Sequence, residues 1–379
     1  MNDLLRSLGV AGGIGDGLLP TLAIFVTALV VTLLFVPPVR RFAIRRGLAD
    51  MPNERRLNKE PLPNLGGLAI YGGVIAALVV AAVVKPNLLL GVQVQVLAIV
   101  LGATILLLTG FVDDQFSLPP LFRLLVQVLA ALLLVVNDIR IEAFTGYLSG
   151  TPFVAVSEPL GILFTVFWVV ALTNAVNLMD GVDGLVGGLG FIAASVLLAI
   201  SAQYATRGAA VLVLAALAGA CLGFLRHNFN PSRIILGDAG AYFIGYTLAA
   251  VSILGAAKGA AAASLLAPLL FLAVPIVDTT QVVVRRLRRG VNPVSTPGKD
   301  HLHHQLMKSG LSQRRTTVTL WALILSVNVV GMVVQAVRPQ VIAVTVVGVV
   351  LLLASVAVPR VREAERERLA APATGGNEA

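Results

Sequence analysis

Charge is what this chain has least of. Asp, Glu, Lys and Arg make up 12% of its 379 residues, about half the ~25% of an ordinary soluble domain. With 57% hydrophobic residues and a mean hydropathy of +0.91, that scarcity excludes a soluble globular fold and predicts repeated membrane crossings. Cysteine is nearly absent too. Cys221 stands alone inside an apolar run, so no disulfide can form within the chain and packing is its role. No segment recurs at a fixed period and neither half duplicates the other, which argues against a transporter built from repeats.

What the chain has in quantity is apolar sequence. Runs long enough to span a bilayer fall at roughly 19–39, 65–84, 91–112, 118–137, 159–179, 185–203, 207–225, 240–256, 262–284, 317–337 and 340–358. They predict an all-α polytopic integral membrane protein of about eleven transmembrane helices. The first run follows Asp3, Arg6 and Asp16 with no small-residue cleavage site behind it, so it reads as a retained span rather than a signal peptide. The net charge of +9 invites a nucleic-acid reading until its distribution is followed. Alternate loops at 40–60, 113–123, 226–239, 285–316 and from 359 onward hold 22 of the 28 lysines and arginines. That bias puts those loops in the cytoplasm, the amino terminus outside and the carboxyl terminus inside, and removes nucleic acid as a partner. Residues 1–358 then form one multi-span membrane domain. Residues 359–379 form a polar cytoplasmic tail, whose alternating Arg and Glu predict a solvated, fraying helix.

The acids gather at that same face. Asp113-Asp114 follows the third run, Asn177-Leu178-Met179-Asp180-Gly181-Val182-Asp183-Gly184 joins the fifth to the sixth, and Gly237-Asp238-Ala239-Gly240 precedes the eighth. Ionisable groups against hydrocarbon are expensive and point to function. Neighbouring carboxylates at Asp113 and Asp114 repel unless a cation intervenes, and magnesium takes one or two carboxylates together with phosphate oxygens. The plainer alternative is a solvated Asp-Asp turn at a helix end. Asp180 and Asp183, on a helix, would share one face, with Gly181 and Gly184 admitting a ligand close to the backbone; a capped Gly-Asp turn is the alternative. In Asn228-Phe229-Asn230-Pro231 and Asp238, the asparagines could bind a base or sugar and the acid a metal. Equally, the first is a turn and the second a helix cap.

Three further signals lie beyond the acids. Asp278 sits about two helical turns ahead of Arg285, Arg286, Arg288 and Arg289, deep enough to face the protein interior or a wet cavity. Lys299-Asp300-His301-Leu302-His303-His304 packs three of the chain's four histidines into four residues. The spacing lacks the partners of a usual zinc module and suits a diphosphate or a sugar, if the cluster is not simply solvated. Lys59-Glu60-Pro61-Leu62-Pro63-Asn64-Leu65-Gly66-Gly67 joins a proline-stiffened turn to a Gly-Gly helix start, whose amides would favour phosphate.

Taken in order over about residues 40–316, these motifs resemble the polyprenyl-phosphate N-acetylhexosamine-1-phosphate transferases. The His-Leu-His-His form is similar to the branch that uses UDP-N-acetylglucosamine (the WecA and TagO type). The muramoyl-pentapeptide branch of peptidoglycan synthesis typically carries a Pro-x-His-His-His-type motif instead. The resemblance implies an enzyme of the bacterial cytoplasmic membrane that transfers N-acetylglucosamine 1-phosphate from UDP-N-acetylglucosamine to undecaprenyl phosphate at the cytoplasmic face. UMP would be released and a cell-envelope glycan begun. It implies Asp113 as base or nucleophile with Asp114 as its partner, and Asn177, Asp180 and Asp183 in the nucleotide and acidic loop. Asn228 and Asp238 fall in the next loop, Asp238 as a ligand of magnesium, or of manganese in its place. His301, His303 and His304 match the sugar-recognition loop, and Lys59 a residue near the nucleotide or phosphates. A homodimer is compatible with this reading. Ala241 departs from it, standing where many relatives carry Ser, which removes a hydrogen bond but no metal ligand. The rivals are the muramoyl-pentapeptide branch and, more remotely, a cation-coupled transporter, whose charges belong near the bilayer midplane in broken helices.

Overall fold

Hydrocarbon offers backbone amides no partner, so a spanning segment must satisfy them internally, and this sequence does so with helices. The computed structural model describes residues 17–50, 62–145, 153–204, 207–256, 272–290 and 301–370. Along them run α1 (Leu19–Arg45), α2 (Gly66–Val84), α3 (Gln93–Phe116), α4 (Pro120–Val135), α5 (Glu158–Met179) and α6 (Leu185–Ser201). Then follow α7 (Gly208–Asn228), α8 (Gly237–Ala256), α9 (Ala273–Arg288), the short α10 (Leu302–Lys308), α11 (Gln313–Val334) and α12 (Pro339–Ala370). Two antiparallel strand pairs trim the loops. β1 (Ala49–Asp50) pairs with β2 (Leu62–Pro63) before α2, and β3 (Ala143–Thr145) with β4 (Phe153–Ala155) between α4 and α5.

Eight of the described helices are long and apolar enough to cross a membrane: α1, α2, α3, α5, α7, α8, α11 and α12. The apolar runs of the sequence predict eleven. Two of the other runs became α4 and α6, which measure 16 and 17 residues, at or just under the lower end of the ~17–25 that a span takes. Pro119 and Pro120 set the start of α4, and Gly184, at φ +77°, holds α6 off until Leu185. The last is α9, which covers the end of the run read at 262–284; the first part of that run lies outside the described residues.

The helices α7 and α8 are buried along almost their whole length, whereas α1 and α12 keep most of their surface outward. Around α7 pack α1, α2 and α6, and around α8 pack α3 and α5. Glycine sets how closely they approach. A Cβ on Gly219 would lie 2.1 Å from the Phe25 carbonyl oxygen, and one on Gly223 2.5 Å from that of Leu29. This pair, four residues apart on α7, lets α1 touch backbone to backbone, which is how helices associate where no hydrophobic effect drives them together.

The carboxyl-terminal boundary also differs from expectation. Helix α12 continues unbroken through Pro359 to Ala370, and Arg360, at the start of the expected solvated tail, is 2% exposed. Its guanidinium donates to the Pro231 carbonyl at 2.5 Å and reaches Glu363 at 3.4 Å, and Glu363 is itself paired with Arg226. The first turn beyond residue 358 is therefore docked against the bundle.

Candidate active site

Three elements bring carboxylates to one point. Helix α3 runs past its apolar stretch to Phe116 and closes with Ser117 at φ +50°, so Asp113 and Asp114 are helical and do not form a turn. A Cβ on Gly110 of α3 would fall 2.5 Å from the Ala239 amide nitrogen, and one on Gly67 of α2 would fall 2.3 Å from that of Gly240. Both glycines thus let the first turn of α8 come up against its neighbours. There Asp114 accepts the amides of Asp238 at 3.0 Å and Ala239 at 3.3 Å, which satisfies orphan N–H groups and meets the positive end of the α8 dipole.

Asp113 is buried and closely held. Its Oδ1 accepts the Leu118 amide at 2.8 Å, and its Oδ2 accepts from Arg123 Nη1 at 2.9 Å and Tyr242 Oη at 3.3 Å. Asp238 Oδ1 accepts from Asn177 Nδ2 at 2.8 Å, and its carboxyl lies within hydrogen-bonding reach of Asp113. Two neighbouring carboxyl groups with Arg123 as the paired cation leave room for further positive charge. Among the described residues no three or more His, Cys, Asp or Glu gather as metal ligands, which does not suit a protein-built zinc cage. A pair of hard oxygens does suit magnesium, which takes one or two carboxylates and completes its shell with water and phosphate. Asp238 and Asp113 are the residues that would hold it.

Asp180 and Asp183 part company. Helix α5 ends at Met179 and α6 begins after Gly184, so the two acids share no helix face. Asp180 is half-buried and close enough to Asp114 to interact electrostatically. Asp183 is buried and turns toward the 229–236 loop. Its Oδ2 accepts from Asn230 Nδ2 at 2.8 Å and from the Ser232 amide at 3.1 Å, and its carbonyl accepts from Thr317 Oγ1 at 3.0 Å. Asn230 also donates to Gln313 Oε1 at 2.8 Å, while its carbonyl accepts from Arg314 Nε at 3.1 Å. Burial raises the Asp183 pKa, and the Asn230 and Ser232 donors oppose that rise.

The histidines form a layer on the other side of the Asp180-Gly181 turn. Asp278 accepts from His301 Nδ1 at 2.8 Å and from the Leu302 amide at 2.7 Å, so it both orients the ring and starts α10. A carboxylate partner makes Nδ1 the donor and fixes the orientation of the ring. His301 and His303 stack with centroids 5.7 Å apart, and His304 tilts against His303 at 4.3 Å. A Cβ on Gly181 would sit 2.5 Å from His303 Nε2; the glycine admits a histidine here. Burial, then the neighbouring His304 and His301, push the His303 pKa down to about 3.

Residues 96–256 match the model of glycosyl transferase family 4. The chain is 35% identical over 303 residues to the probable undecaprenyl-phosphate N-acetylglucosaminyl 1-phosphate transferase of Bacillus subtilis, covering 78% of this chain and 80% of that protein. The chain belongs to glycosyl transferase family 4. It is also 35% identical over 315 residues to the decaprenyl-phosphate N-acetylglucosaminephosphotransferase of Mycolicibacterium smegmatis, covering 78% and 77% of the two chains. To the undecaprenyl-phosphate alpha-N-acetylglucosaminyl 1-phosphate transferase of Salmonella typhimurium it is 30% identical over 318 residues, covering 82% and 83%.

Within the stretch matched to glycosyl transferase family 4 the structure joins Asp113, Asp114, Asn177, Asp180 and Asp238, and it carries Asp183 into a bracing network. The histidines and Asp278 lie beyond that stretch. Lys59 lies outside the described residues. Asn228 has a different task from the one expected. Its Oδ1 accepts the Gly184 amide at 3.0 Å and its Nδ2 donates to the Ile234 carbonyl at 2.9 Å, so the side chain ties two loops together. The Gly66 and Gly67 amides are likewise occupied, donating to the carbonyls of Ile235 at 3.0 Å and Leu236 at 2.9 Å, and do not await phosphate. Three residues of the cluster were not singled out from the sequence as partners: Arg123, Tyr242 and, for His301, Asp278. Arg123 had a signal, being the only basic residue of the 113–123 loop. Tyr242, one helical turn after Asp238 on an apolar helix, had none.

Proposed function

We propose that this chain transfers N-acetylglucosamine 1-phosphate from UDP-N-acetylglucosamine to undecaprenyl phosphate and releases UMP. The names of the relatives supply the lipid acceptor and the transferred group, and the resemblance of the motifs supplies the UDP donor. The observation that carries the reading is the convergence of Asp113, Asp114 and Asp238 beside Arg123, with Asp114 holding the Asp238 amide and Tyr242 of the same helix reaching Asp113. Phosphoryl transfer asks a protein mainly for positioning and for charge to offset the reacting oxygens. A magnesium ion held by Asp238 and Asp113 would neutralise charge on the diphosphate. Arg123 offers a fork of donors to a phosphate oxygen. Asp113 is assigned the role of acceptor of the proton left on the lipid phosphate, which would cost it one of the three hydrogen bonds that its oxygens accept. As a nucleophile it would first have to leave Arg123, and a phosphate monoester with a second pKa of about 6 needs little activation.

His303, kept neutral by burial, suits the hydroxyl and N-acetyl groups of a sugar, which take neutral donors and acceptors, better than a diphosphate. Eleven spans, the amino terminus outside, and the acids and histidines facing the cytoplasm of a bacterial inner membrane complete the reading, supported by the 22 of 28 basic residues in one set of loops. In this view residues 1–358 carry the reaction and 359–379 lie in the cytoplasm.

The direct test offers purified protein undecaprenyl phosphate with radiolabelled UDP-N-acetylglucosamine or UDP-N-acetylmuramoyl-pentapeptide. Label should enter the lipid phase with the first donor, with one UMP per labelled lipid. Labelling from the pentapeptide donor alone would move the chain to the other branch. Topology is tested separately. Ser309→Cys, on an exposed residue, should react with an impermeant maleimide only after permeabilisation, and Cys221 is buried and silent.

A further inference from the structure

A cleft of about 560 Å³ opens between the start of α11 and the last turns of α12. Among the described residues no carboxylate lines it. Its wall is apolar, with Phe229, Leu311, Val318 and Val358, and Arg314, Arg315 and Arg362 stand around it. Val318 and Val358 are each about half exposed, so the wall runs on into the outer apolar surface of the bundle. Arg315 and Arg362 are exposed and belong to none of the ion pairs found among the described residues. On α12 Glu363 is engaged by Arg226, and Glu365, three residues after Arg362, forms no ion pair with it among the described residues.

An apolar wall that ends in two guanidinium groups paired with no carboxylate among the described residues, where a span meets its basic loop, matches a molecule with acyl chains and a phosphate. We propose that this cleft binds a membrane phospholipid with an anionic headgroup, its chains along Val318 and Val358 and its phosphate between Arg315 and Arg362. Arginine suits phosphate through paired N–H donors, and basic residues at the cytoplasmic surface attract anionic lipid. The acceptor lipid of the proposed reaction belongs at the Asp113–Asp238 cluster, none of whose residues line this cleft. The site goes beyond that reaction, and its binding test does not depend on it. It also touches the reaction's scaffold, since Arg314 holds the Asn230 carbonyl and Asn230 holds Asp183.

The chain supplies its own reporter. Trp321 packs on Phe229 with ring centroids 5.3 Å apart, and Phe229 lines the cleft. The chain has two tryptophans, so Trp168→Phe leaves Trp321 alone. In phosphatidylcholine vesicles, acyl-brominated phosphatidylglycerol should quench Trp321 saturably at mole fractions where brominated phosphatidylcholine does not. Arg315→Gln with Arg362→Gln should weaken the apparent affinity about fivefold per arginine removed, and the paired Lys variants should retain most of it. Native mass spectrometry of the wild-type chain should show phosphatidylglycerol retained over phosphatidylcholine, with no substitution needed. Equal quenching by the two lipids, or an unchanged preference in the Gln pair, would overturn the proposal. So would release of the brominated lipid by inorganic phosphate, which would make the site one for a free anion. Release by undecaprenyl phosphate at far lower mole fractions than by phosphatidylglycerol would assign the cleft to the acceptor and overturn it too.

Discussion

Asp114 on α3 accepts the backbone amide of Asp238 on α8 at 3.0 Å. One acid thereby sets the position of another, and the two carry separable functions. Asp114 acts through the helix start that it caps, Asp238 through its own oxygens.

Asp114→Ala should lower stability by about 1–2 kcal/mol, the range for losing a helix cap, and lower turnover with it, because the first turn of α8 loses its anchor. Asp114→Asn keeps one acceptor oxygen and should lose less of both. Apparent melting temperatures of the purified variants check this. An Ala variant as stable as wild type would show that the two amides find other partners.

Asp238→Asn should do the reverse. Replacing one of two neighbouring carboxyl groups by a neutral amide relieves repulsion, so the melting temperature should equal or exceed that of wild type. Turnover should fall by more than ~100-fold, beyond the loss usual for an outer partner of a metal ligand. Magnesium titration of activity is the second readout. An unchanged half-saturating magnesium concentration together with near-normal turnover would remove Asp238 from the proposed ligand set.

Asp183 gives a pH signature. Its pKa in the folded chain is raised from 3.8, chiefly by burial. The contribution of such a group to stability is fully present below its unfolded pKa and is lost as pH rises through the raised folded value. The melting temperature of wild type relative to Asp183→Asn should therefore be highest near pH 4 and decline as pH rises above it. A difference that grows with pH would mean that the Asn230 and Ser232 donors outweigh burial, and that the folded pKa lies below the ordinary one.

Much of this was legible in the sequence, for reasons that differ by residue. Hydrophobicity and charge placement act over twenty residues at a time, so the helices and the shared face of the acids could be read directly. Span length was less legible, because a proline pair at 119–120 and the left-handed Gly184 shorten helices without changing composition. Side-chain partnership was least legible. Asp180 and Asp183 are equivalent in spacing and neighbours, yet one faces Asp114 and the other Asn230, a difference decided by a loop almost fifty residues further on. Asn228 reads as a residue that binds a base or sugar, or as a turn, but bridges Gly184 and Ile234 because α7 carries it inward. The pairing of Asp278 with His301 joins residues 23 apart across a segment outside the described residues, and no local pattern marks it.

His303 offers the sharpest test of how the sugar is held. The ring is 2% exposed, stacked on His301 and fitted against Gly181, with its pKa pushed down to about 3. It is therefore neutral at working pH and can contribute a hydrogen bond but no charge. His303→Ala should raise the KM for UDP-N-acetylglucosamine by roughly tenfold, the upper end of about 0.5–1.5 kcal/mol for one net hydrogen bond. His303→Gln, which keeps a neutral donor and acceptor, should recover part of that. Asp278→Asn weakens the hold on His301 without touching His303, so it should raise the same KM by less and leave the KM for the lipid acceptor unchanged. Because His303 does not ionise between about pH 5 and 8, where an ordinary imidazole would, the wild-type KM for the sugar nucleotide should carry no ionisation that disappears in His303→Gln. A KM that rises through that interval in wild type and lies flat in the Gln variant would mean a charged imidazole. The layer would then hold the diphosphate rather than the sugar.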